Sequence, residues 1–490
     1  MAPQGLYQRT FTLPTSYHAT INEDRFHVLF HGVSSAFYVY LDGVNVGYSQ
    51  DSCLPAEFDI STLIKLKRAA AGTAKDVTFT LSVICIRWSD GSFLEDQDHW
   101  WLSGIARNVE LIRIPRAHDI YDFSTQTDKS GLVEARVHFK STSGPRLAKK
   151  VSVRVYDDTQ LDLSGKFTQG GQVFRVDAVV NSDDTTIVLS GMVDKPKLWS
   201  AEVPNLYTLI VETSDAADKV LQVESCRVGF KTVDITPEGI FKINDEAVTI
   251  AGVNRHDHDP DHGKTISVAS MIEDVCVLKA ANFNAVRTCH YPNSSEFYKL
   301  CDFLGLYMCD EANLETHGCS PPMGMLMSDP YWTEQVCSRI TRMCQRDRNH
   351  ASVCIWSLGN ESGRGVGLTE ARRRIRLMDP SRPIQYESGG NVVDGTGCTE
   401  LTDIICPMYP SVEKTLELGT KASEGEPPLF TCVIAITPPP LRTSCCRPPR
   451  DLVRVQPRDG QLQREPAPVL GHDLGRHQAS HSGRVHLGHD

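Results

Sequence analysis

The sequence lacks the features by which a chain binds membranes or nucleic acid. No apolar run approaches the about 18 residues that a membrane-spanning helix needs. The 50 Lys and Arg residues are outnumbered by 61 Asp and Glu residues, so the net charge is −11 and offers no basic face for polyanions. The beginning, MAPQGLYQRTFTLP, has no charged segment followed by an apolar stretch, so it does not predict a secretory signal. We therefore expect a cytoplasmic protein that acts without a membrane or nucleic acid.

The sequence also lacks a disulfide pattern and the composition of a disordered chain. Its 16 cysteines are scattered singly, apart from Cys445 and Cys446, which is typical of reduced thiols. Hydrophobic residues make up 40% and charged residues 23% of the chain, as in folded soluble proteins. A length of 490 residues is too great for one ordinary core, so we expect two or three domains.

Two successive regions read as all-β. Residues 1–118 contain the apolar or alternating runs RFHVLFHGV, AFYVYLDGVNVGYS and VTFTLSVICIRW, broken by Gly, Asp and Ser. That rhythm predicts a β-sandwich or jelly roll. Residues 119–235 repeat it more weakly, in LVEARVHFK, KKVSVRVYD and LYTLIVET, and predict a second β-sandwich.

From residue 236 to 426 short apolar strands alternate with helical segments, as in NFNAVRT, SVASMIEDVCVLKAA and VCIWSLGNE. This alternation predicts a parallel sheet of the (β/α)₈ barrel type. Polar residues stand where strands end, at residues 289–291, 310–313, 360–361 and at Tyr409. Catalytic groups of such barrels project from that edge.

Several of these polar residues could carry chemistry, and each also has a structural reading. Glu361 directly follows a strand and could serve as a general acid, although a glutamate in that place is common. Glu315 and His317 lie two apart, so they share one side of an extended segment. With a third ligand they could hold Mg²⁺, and otherwise they are a hydrogen-bonded core pair.

Two further runs are ambiguous. The run from His256 to His262 has no helical zinc-ligand spacing, and Pro260 would break a helix, so we expect either ligand-contacting or merely solvated loop residues. Trp88 and the run Glu95–Trp101 place aromatic rings beside carboxylates, as sugar-binding surfaces do, but buried tryptophan packing explains them equally well.

Long strings of the sequence match one family in order. GVNRHDHDP, NFNAVRTCHYPN, DEANLETHG, RDRNHASVCIWSLGNESG and DPSRPIQYE closely resemble the large bacterial-type β-galactosidases of glycoside hydrolase family 2. The run RWSDGSFLEDQDHWWLSGI resembles the N-terminal sugar-binding sandwich of that family. The resemblance implies a multidomain fold: a jelly roll (1–118), an immunoglobulin-like sandwich (119–235) and an incomplete (β/α)₈ TIM barrel (236–426).

The resemblance also implies a retaining β-galactosidase that removes terminal β-D-galactosyl residues from substrates such as lactose. Glu361 would be the acid/base, and Glu315, His317 and Glu361 would bind Mg²⁺. Galactosyl contacts are implied at His256, His290 and Asn360, and Tyr409 would be the substrate-binding tyrosine beside the nucleophile. Asp98 would reach the sugar and Na⁺ from the first domain. The family usually forms tetramers, which implies a homo-oligomer.

One element of the family pattern is absent. The family places its nucleophilic glutamate after the next barrel strand, in a C-E-Y-x-H-A-M-G-N string, and no such glutamate follows Tyr409 here. Since a retaining glycosidase needs two carboxylates, we expect this chain to be inactive. The alternative is a non-catalytic galactoside-binding or assembly protein. A family 2 enzyme for glucuronides or mannosides fits the NESG and CHYPN strings less well.

The last part of the sequence, residues 427–490, does not resemble the family. From Thr431 to Asp490 there is no Lys, Phe, Tyr or Trp, while Arg and Pro occur eight times each. Read one base later, the codons for residues 451–461 can encode T-L-C-E-Y-S-H-A-M-G-N. We therefore expect a frame-shifted or intron-derived tail without regular structure, on a chain truncated at both ends relative to the family.

Overall fold

The structure is a computed structural model. It describes residues 4–13, 17, 20–72, 76–140, 146–157, 170–319, 325–387, 400–404, 406–407, 410–413, 415–417 and 484–486. For residues 387 and 484–486 it describes the backbone alone.

The first region is a sandwich of a four-stranded and a three-stranded antiparallel sheet. Its elements are β1 (Gln4–Thr12), β2 (Arg25–Phe30), β3 (Val33–Ser34), β4 (Ala36–Leu41), β5 (Val44–Gln50), β6 (Ala56–Asp59), α1 (Ser61–Ala70), β7 (Thr78–Ile86), β8 (Gly104–Ile105) and β9 (Val109–Ile114). One sheet has the order β1-β7-β4-β5 and the other contains β9-β2-β6. Along β2 and β7 every second side chain is buried, because alternate residues of a strand face the same side. These buried side chains form the core between the sheets.

The second region is a smaller antiparallel sandwich. Its strands are β10 (Ile120–Thr127), β11 (Leu132–Phe139), β12 (Lys150–Asp157), β13 (Gln172–Val179), β14 (Thr186–Met192), β15 (Tyr207–Ser214) and β16 (Val220–Val228). The sheet β10-β11-β14 packs on the sheet β13-β12-β15-β16. Buried valines of β11 in one sheet and of β12 in the other supply much of that core, which suits β-branched residues on a pleated surface.

The third region begins with a small sheet and continues as alternating strands and helices. The small sheet contains β17 (Val233–Ile235), β18 (Phe241–Ile243) and β19 (Glu246–Ala247). The alternating elements are β20 (Gly252–Asn254), α2 (Val268–Ala280), β21 (Ala285–Arg287), α3 (Ser295–Leu304), β22 (Tyr307–Glu311), α4 (Met325–Ser328), α5 (Thr333–Asp347), β23 (Val353–Asn360), α6 (Val366–Met378) and β24 (Ile384–Glu387).

The five strands β20 to β24 pair in sequence order, and all the pairs are parallel. Gln385 forms a further parallel bridge to Ile404, where another strand would follow. The helices cover one face of this sheet; α5 buries Val336, Ile340 and Met343, which share one side of the helix. In the described part of the chain the sheet is an open arc, which confirms the predicted multidomain fold with an incomplete barrel.

The tail of residues 427–490 is described only at β25 (Arg484–His486), which pairs antiparallel with β9. At these three residues the expectation of no regular structure does not hold. The rest of the tail, and with it the proposed frame shift, lies outside the described residues and stays a prediction. No described helix combines the length and the apolarity needed to cross a membrane.

Candidate active site

The carboxyl ends of β21, β22 and β23 bring charged side chains to one edge of the parallel sheet. β22 pairs with β21 on one side and with β23 on the other, so that Glu311 stands opposite Ser357. Arg287 ends β21, Glu311 ends β22 and Asn360 ends β23. Because parallel strands end at the same edge, residues far apart in the sequence meet here.

Glu311 is the anchor of this edge. Its side chain is fully buried, and Oε2 accepts hydrogen bonds from Arg287 Nε at 2.8 Å and Ser357 Oγ at 2.6 Å. His290 Nδ1 lies 2.7 Å from the other oxygen, Oε1. Burial alone would raise the pKa of Glu311, but the Arg287 charge and the hydrogen bonds hold this pKa at about 2. Glu311 is therefore an ionised carboxylate that fixes the His290 ring.

Glu315 joins this edge to a loop of the first domain. Glu315 N donates to Leu94 O at 2.8 Å, and Asp96 N donates to Glu315 O at 3.1 Å. The buried carboxyl group accepts from Asn360 Nδ2 at 2.9 Å and from the backbone N–H of Asp98 at 3.1 Å. The first-domain loop is therefore held by backbone hydrogen bonds against the strand ends of the third domain.

Burial also sets the protonation of Glu315. Burial, opposed by the Asn360 hydrogen bond and aided by the charges of Asp98 and Glu361, raises the pKa of Glu315 to about 9. The Glu315 carboxyl group is therefore protonated at neutral pH and surrounded by other acidic groups.

Glu361 follows β23 directly and is buried against His317. Its φ of +41° lies in the left-handed region, which non-glycine residues seldom adopt and which occurs at functional sites. Glu361 Oε2 contacts Nδ1 of His317. A buried carboxyl group held against an imidazole at this edge could give a proton to a bound ligand.

Two histidines and Asp98 form the adjoining wall. The His256 ring meets the His290 ring edge-on with centroids 5.6 Å apart, and His256 Nδ1 lies 3.3 Å from Tyr291 Oη. Burial and the nearby His290 lower the pKa of His256, which favours its neutral form. Asp98 Oδ2 lies 3.7 Å from His290 Nε2, while 52% of the Asp98 side chain is exposed and open to a ligand.

Three consecutive stretches of the chain match domains of one enzyme family. The sugar binding domain of glycosyl hydrolases family 2 matches residues 1–115, and the TIM barrel domain of that family matches residues 233–427. Between them, residues 118–231 match a further domain described only as glycosyl hydrolases family 2. The chain belongs to glycosyl hydrolase family 2. This membership confirms the predicted family and agrees with the order of the two sandwiches and the parallel sheet.

Among family 2 proteins, the chain is 43% identical over 415 residues to a β-galactosidase of Pseudoalteromonas haloplanktis. The match covers 85% of this chain but 38% of that relative, so the chain spans well under half the relative's length. Solved family folds are also similar. A β-glucuronidase of Bacteroides uniformis has a TM-score of 0.68 at 20% identity, covering 84% of this chain and 50% of its own. A Parabacteroides merdae β-glucuronidase has a TM-score of 0.70 at 19% identity, covering 86% and 53%.

The structure brings most of the residues predicted for the family 2 site into one cluster. Direct contacts link Asp98, His290, Glu315 and Asn360, and His256 lies against His290. Glu361 and His317 contact each other, and the charge of Glu361 reaches Glu315. Tyr409 lies outside the described residues, so its predicted place beside the site stays a prediction.

The residues predicted to bind metal fit a cation only in part. In the described part of the chain, Asp98, His290 and Glu315 offer three ligand atoms that all lie within 4.8 Å of one another. The predicted magnesium set, Glu315, His317 and Glu361, does not form such a group. A second group contains Cys289, and in the metal-free chain burial raises the pKa of its thiol to about 12, so that the thiol is protonated.

Sequence reasoning missed the buried ion pair that carries the first-domain loop. Glu95 Oε1 accepts from Arg339 Nη1 at 2.7 Å and from Asn313 Nδ2 at 2.8 Å, and Ser52 N donates to the same oxygen at 3.0 Å. Burial opposes ionisation of Glu95, but the Arg339 charge and these hydrogen bonds lower its pKa. The pair holds the loop that presents Asp98.

The acidic and histidine-rich run after β20 is partly structural. Asp257 is buried and forms ion pairs with Arg255 Nη1 at 2.9 Å and with Arg107 Nη2 at 3.1 Å. Its neighbours on either side, His256 and His258, remain half-buried at the edge of the cluster. In this run the carboxylate of Asp257 supports the structure, whereas the rings of His256 and His258 can contact a ligand.

Proposed function

We propose that this family 2 chain carries the sugar-binding wall and the acid carboxyl group of a retaining β-galactosidase. Its ligands would be terminal β-D-galactosides such as lactose. The single observation that carries the proposal is the cluster of Glu361, Asn360, Glu315 and His290 at the strand ends, closed on one side by Asp98. The identity to a β-galactosidase supports the choice of galactosides.

In the proposed site each residue has a separate task. Glu361 donates its proton to the glycosidic oxygen, and His317 orients its Oε2. The exposed Asp98 carboxylate and the His290 ring take sugar hydroxyls as hydrogen-bond partners. Arg287 and Glu311 keep His290 in place from behind, so the wall is arranged before the sugar arrives.

We further propose that the chain binds β-galactosides without hydrolysing them. The retaining route needs a second carboxylate about 5 Å from the first, facing the anomeric carbon. Glu311 is ion-paired to Arg287, and Glu315 is hydrogen-bonded to Asn360 and Asp98. Neither carboxyl group is free to attack, and the family's nucleophile string does not occur in the sequence.

Sequencing the transcript across codons 420–460 tests whether that string was lost by a frame shift; an uninterrupted transcript in the present frame would contradict that origin.

The bound cations, the oligomeric state and the cellular location are proposed from the family resemblance. Mg²⁺ at Glu315, His317 and Glu361, and Na⁺ at Asp98, are proposed from the family resemblance alone, because the ligand atoms of the magnesium set do not lie close enough together in this structure to form such a group. A bound divalent ion there would neutralise the acidic cluster around Glu315. We also propose that the chain acts in the cytoplasm and associates with copies of itself, as the family resemblance implies.

Binding and turnover of matched aryl glycosides test this function. The purified chain is titrated with phenyl β-galactoside, phenyl β-glucuronide and phenyl β-mannoside, and phenol release is followed in the same samples. We expect the galactoside to bind at least about tenfold more tightly than the other two, a difference of about 1.4 kcal/mol, without phenol release. Glu361→Gln should weaken binding, whereas Glu246→Gln, at an exposed site in β19, should not.

Three results would contradict parts of the proposal. Preference for the glucuronide or mannoside would overturn the substrate class. Phenol release that disappears in Glu361→Gln would support the acid role of Glu361 and overturn the proposed inactivity. No binding of any of the three glycosides would overturn the sugar-binding wall itself.

A further inference from the structure

We propose that Trp100, held in place by His258, is the surface on which the leaving group of a β-galactoside stacks. Trp100 would then be a specificity-determining residue, and His258 its positioning residue. This inference rests on the proposed galactoside function. It concerns the part of the site that would hold the leaving group, to which that function assigns no residue.

The Trp100 ring is presented as a platform. It lies nearly parallel to the His258 ring, with centroids 4.5 Å apart and an interplanar angle of 14°. One face of the indole is therefore covered, yet 51% of the residue is exposed. A tryptophan backed on one face and open on the other offers a flat surface whose orientation is already fixed, so little rotational freedom is lost when a ring binds.

The chain places this platform beside the sugar-binding wall from both sides. Trp100 follows Asp98 by two residues, and Asp98 is anchored by the hydrogen bond from its backbone N–H to Glu315. His258 follows His256 by two residues, and a tight turn joins them, with His258 N donating to His256 O at 3.0 Å. The stack therefore links the two segments that carry Asp98 and His256 of the proposed galactosyl site.

The neighbouring tryptophan shows why Trp100 has this role. Trp101 donates from Nε1 to Glu95 O at 3.1 Å, and its ring meets the Trp88 ring edge-on at 5.4 Å. These contacts use its polar group and its edge to brace the loop. Among the described residues, no hydrogen bond ties the Trp100 indole nitrogen in this way, and the Trp100 ring stacks on His258.

The chemistry of the substrate fits this arrangement. In a β-galactoside the leaving group is attached through the glycosidic oxygen and extends beyond the galactosyl ring. An aryl ring, or the apolar C–H face of a second sugar, gains dispersion and electrostatic attraction from an indole face. Free galactose has no leaving group and gains nothing from Trp100. The platform should therefore change the affinity for galactosides but not the affinity for galactose.

Calorimetric titration of two probes tests the inference. The probes are galactose and phenyl 1-thio-β-galactoside, whose sulfur linkage resists hydrolysis. We expect Trp100→Ala to weaken binding of the thiogalactoside about tenfold and to leave galactose binding within about twofold. Trp100→Phe should retain most of the thiogalactoside affinity. His258→Ala should lower this affinity and His258→Phe should restore it. Tyr121→Ala, at an exposed aromatic in β10, is the control and should change neither.

Each other outcome overturns the inference in a distinguishable way. Unchanged thiogalactoside affinity in Trp100→Ala, with both probes bound by the unaltered chain, removes the platform but leaves the proposed function standing. Equal loss for both probes means that Trp100 supports the fold or the galactosyl wall instead. Failure of the unaltered chain to bind either probe removes the proposed function together with the platform.

Discussion

The strand ends of the third domain and the loop of the first domain both reach the proposed site, but they are built differently. At the strand ends, Glu311, Glu315 and Asn360 are buried, and each is held by hydrogen bonds from neighbouring elements. In the loop, the backbone of Asp98 is held while half of its side chain, and half of Trp100, is exposed. The comparison indicates that the buried strand ends contribute to stability, whereas exposed side chains of the loop can be changed without unfolding the protein.

Removal of the positively charged Arg287 side chain at the strand ends should have the largest effect on stability. Arg287→Met leaves Glu311 as a buried charge without its partner, which should lower the free energy of unfolding by about 3–5 kcal/mol. The double variant Arg287→Met/Glu311→Gln removes both charges and should recover part of that loss. Urea denaturation measures both. A loss below about 1 kcal/mol in the single variant would mean that this buried ion pair stabilises the fold no more than a surface ion pair does.

The stabilisation that the Glu311 carboxylate contributes should decrease in acid. The pKa of Glu311 falls from 4.5 to about 2 in the folded chain. Its stabilising contribution is therefore complete above about pH 4.5 and is lost as the pH falls to about 2, and is on the order of 3 kcal/mol. Comparison of urea midpoints of the chain and of Glu311→Gln between these pH values should show the difference shrinking. A difference that stays constant with pH would contradict the ionised state of Glu311.

Substitution in the loop should affect binding instead of stability. Asp98→Asn removes an exposed charge, so the free energy of unfolding should change by no more than about 0.5 kcal/mol. Loss of a charged hydrogen-bond acceptor should weaken galactose binding by about tenfold. Urea denaturation and calorimetry of the same preparation measure both quantities. A large stability loss with unchanged affinity would reverse the contrast between loop and strand ends.

The same contrast explains what the sequence could predict. The fold class follows from strand rhythm and from the alternation of strands and helices, because these are local patterns. The meeting of His290, Asn360 and Glu361 follows from a general rule, since parallel strands end at one edge. The family strings then supplied the roles that local pattern could not.

Contacts between domains could not be predicted in this way. Glu95 and Arg339 are 244 residues apart, and no periodicity or spacing relates them. Glu311 was seen only as one polar residue in a strand-end run, because its ion pair with Arg287 depends on the register of β21 and β22. Trp100 was ambiguous between a sugar surface and core packing, and only its stacking on His258 and its exposure separate the two.

Rescue by an added nucleophile tests the central claim, an acid half-site without its attacking carboxylate, most directly. The chain is incubated with 2,4-dinitrophenyl β-galactoside, whose leaving group departs without help, and with or without azide, and the products are identified by NMR. We expect α-galactosyl azide in the presence of azide and no enzymatic galactose in its absence, because azide replaces the missing group on the α face. Formation of β-galactose at the same rate with and without azide would reveal a working nucleophile in this chain and contradict the account.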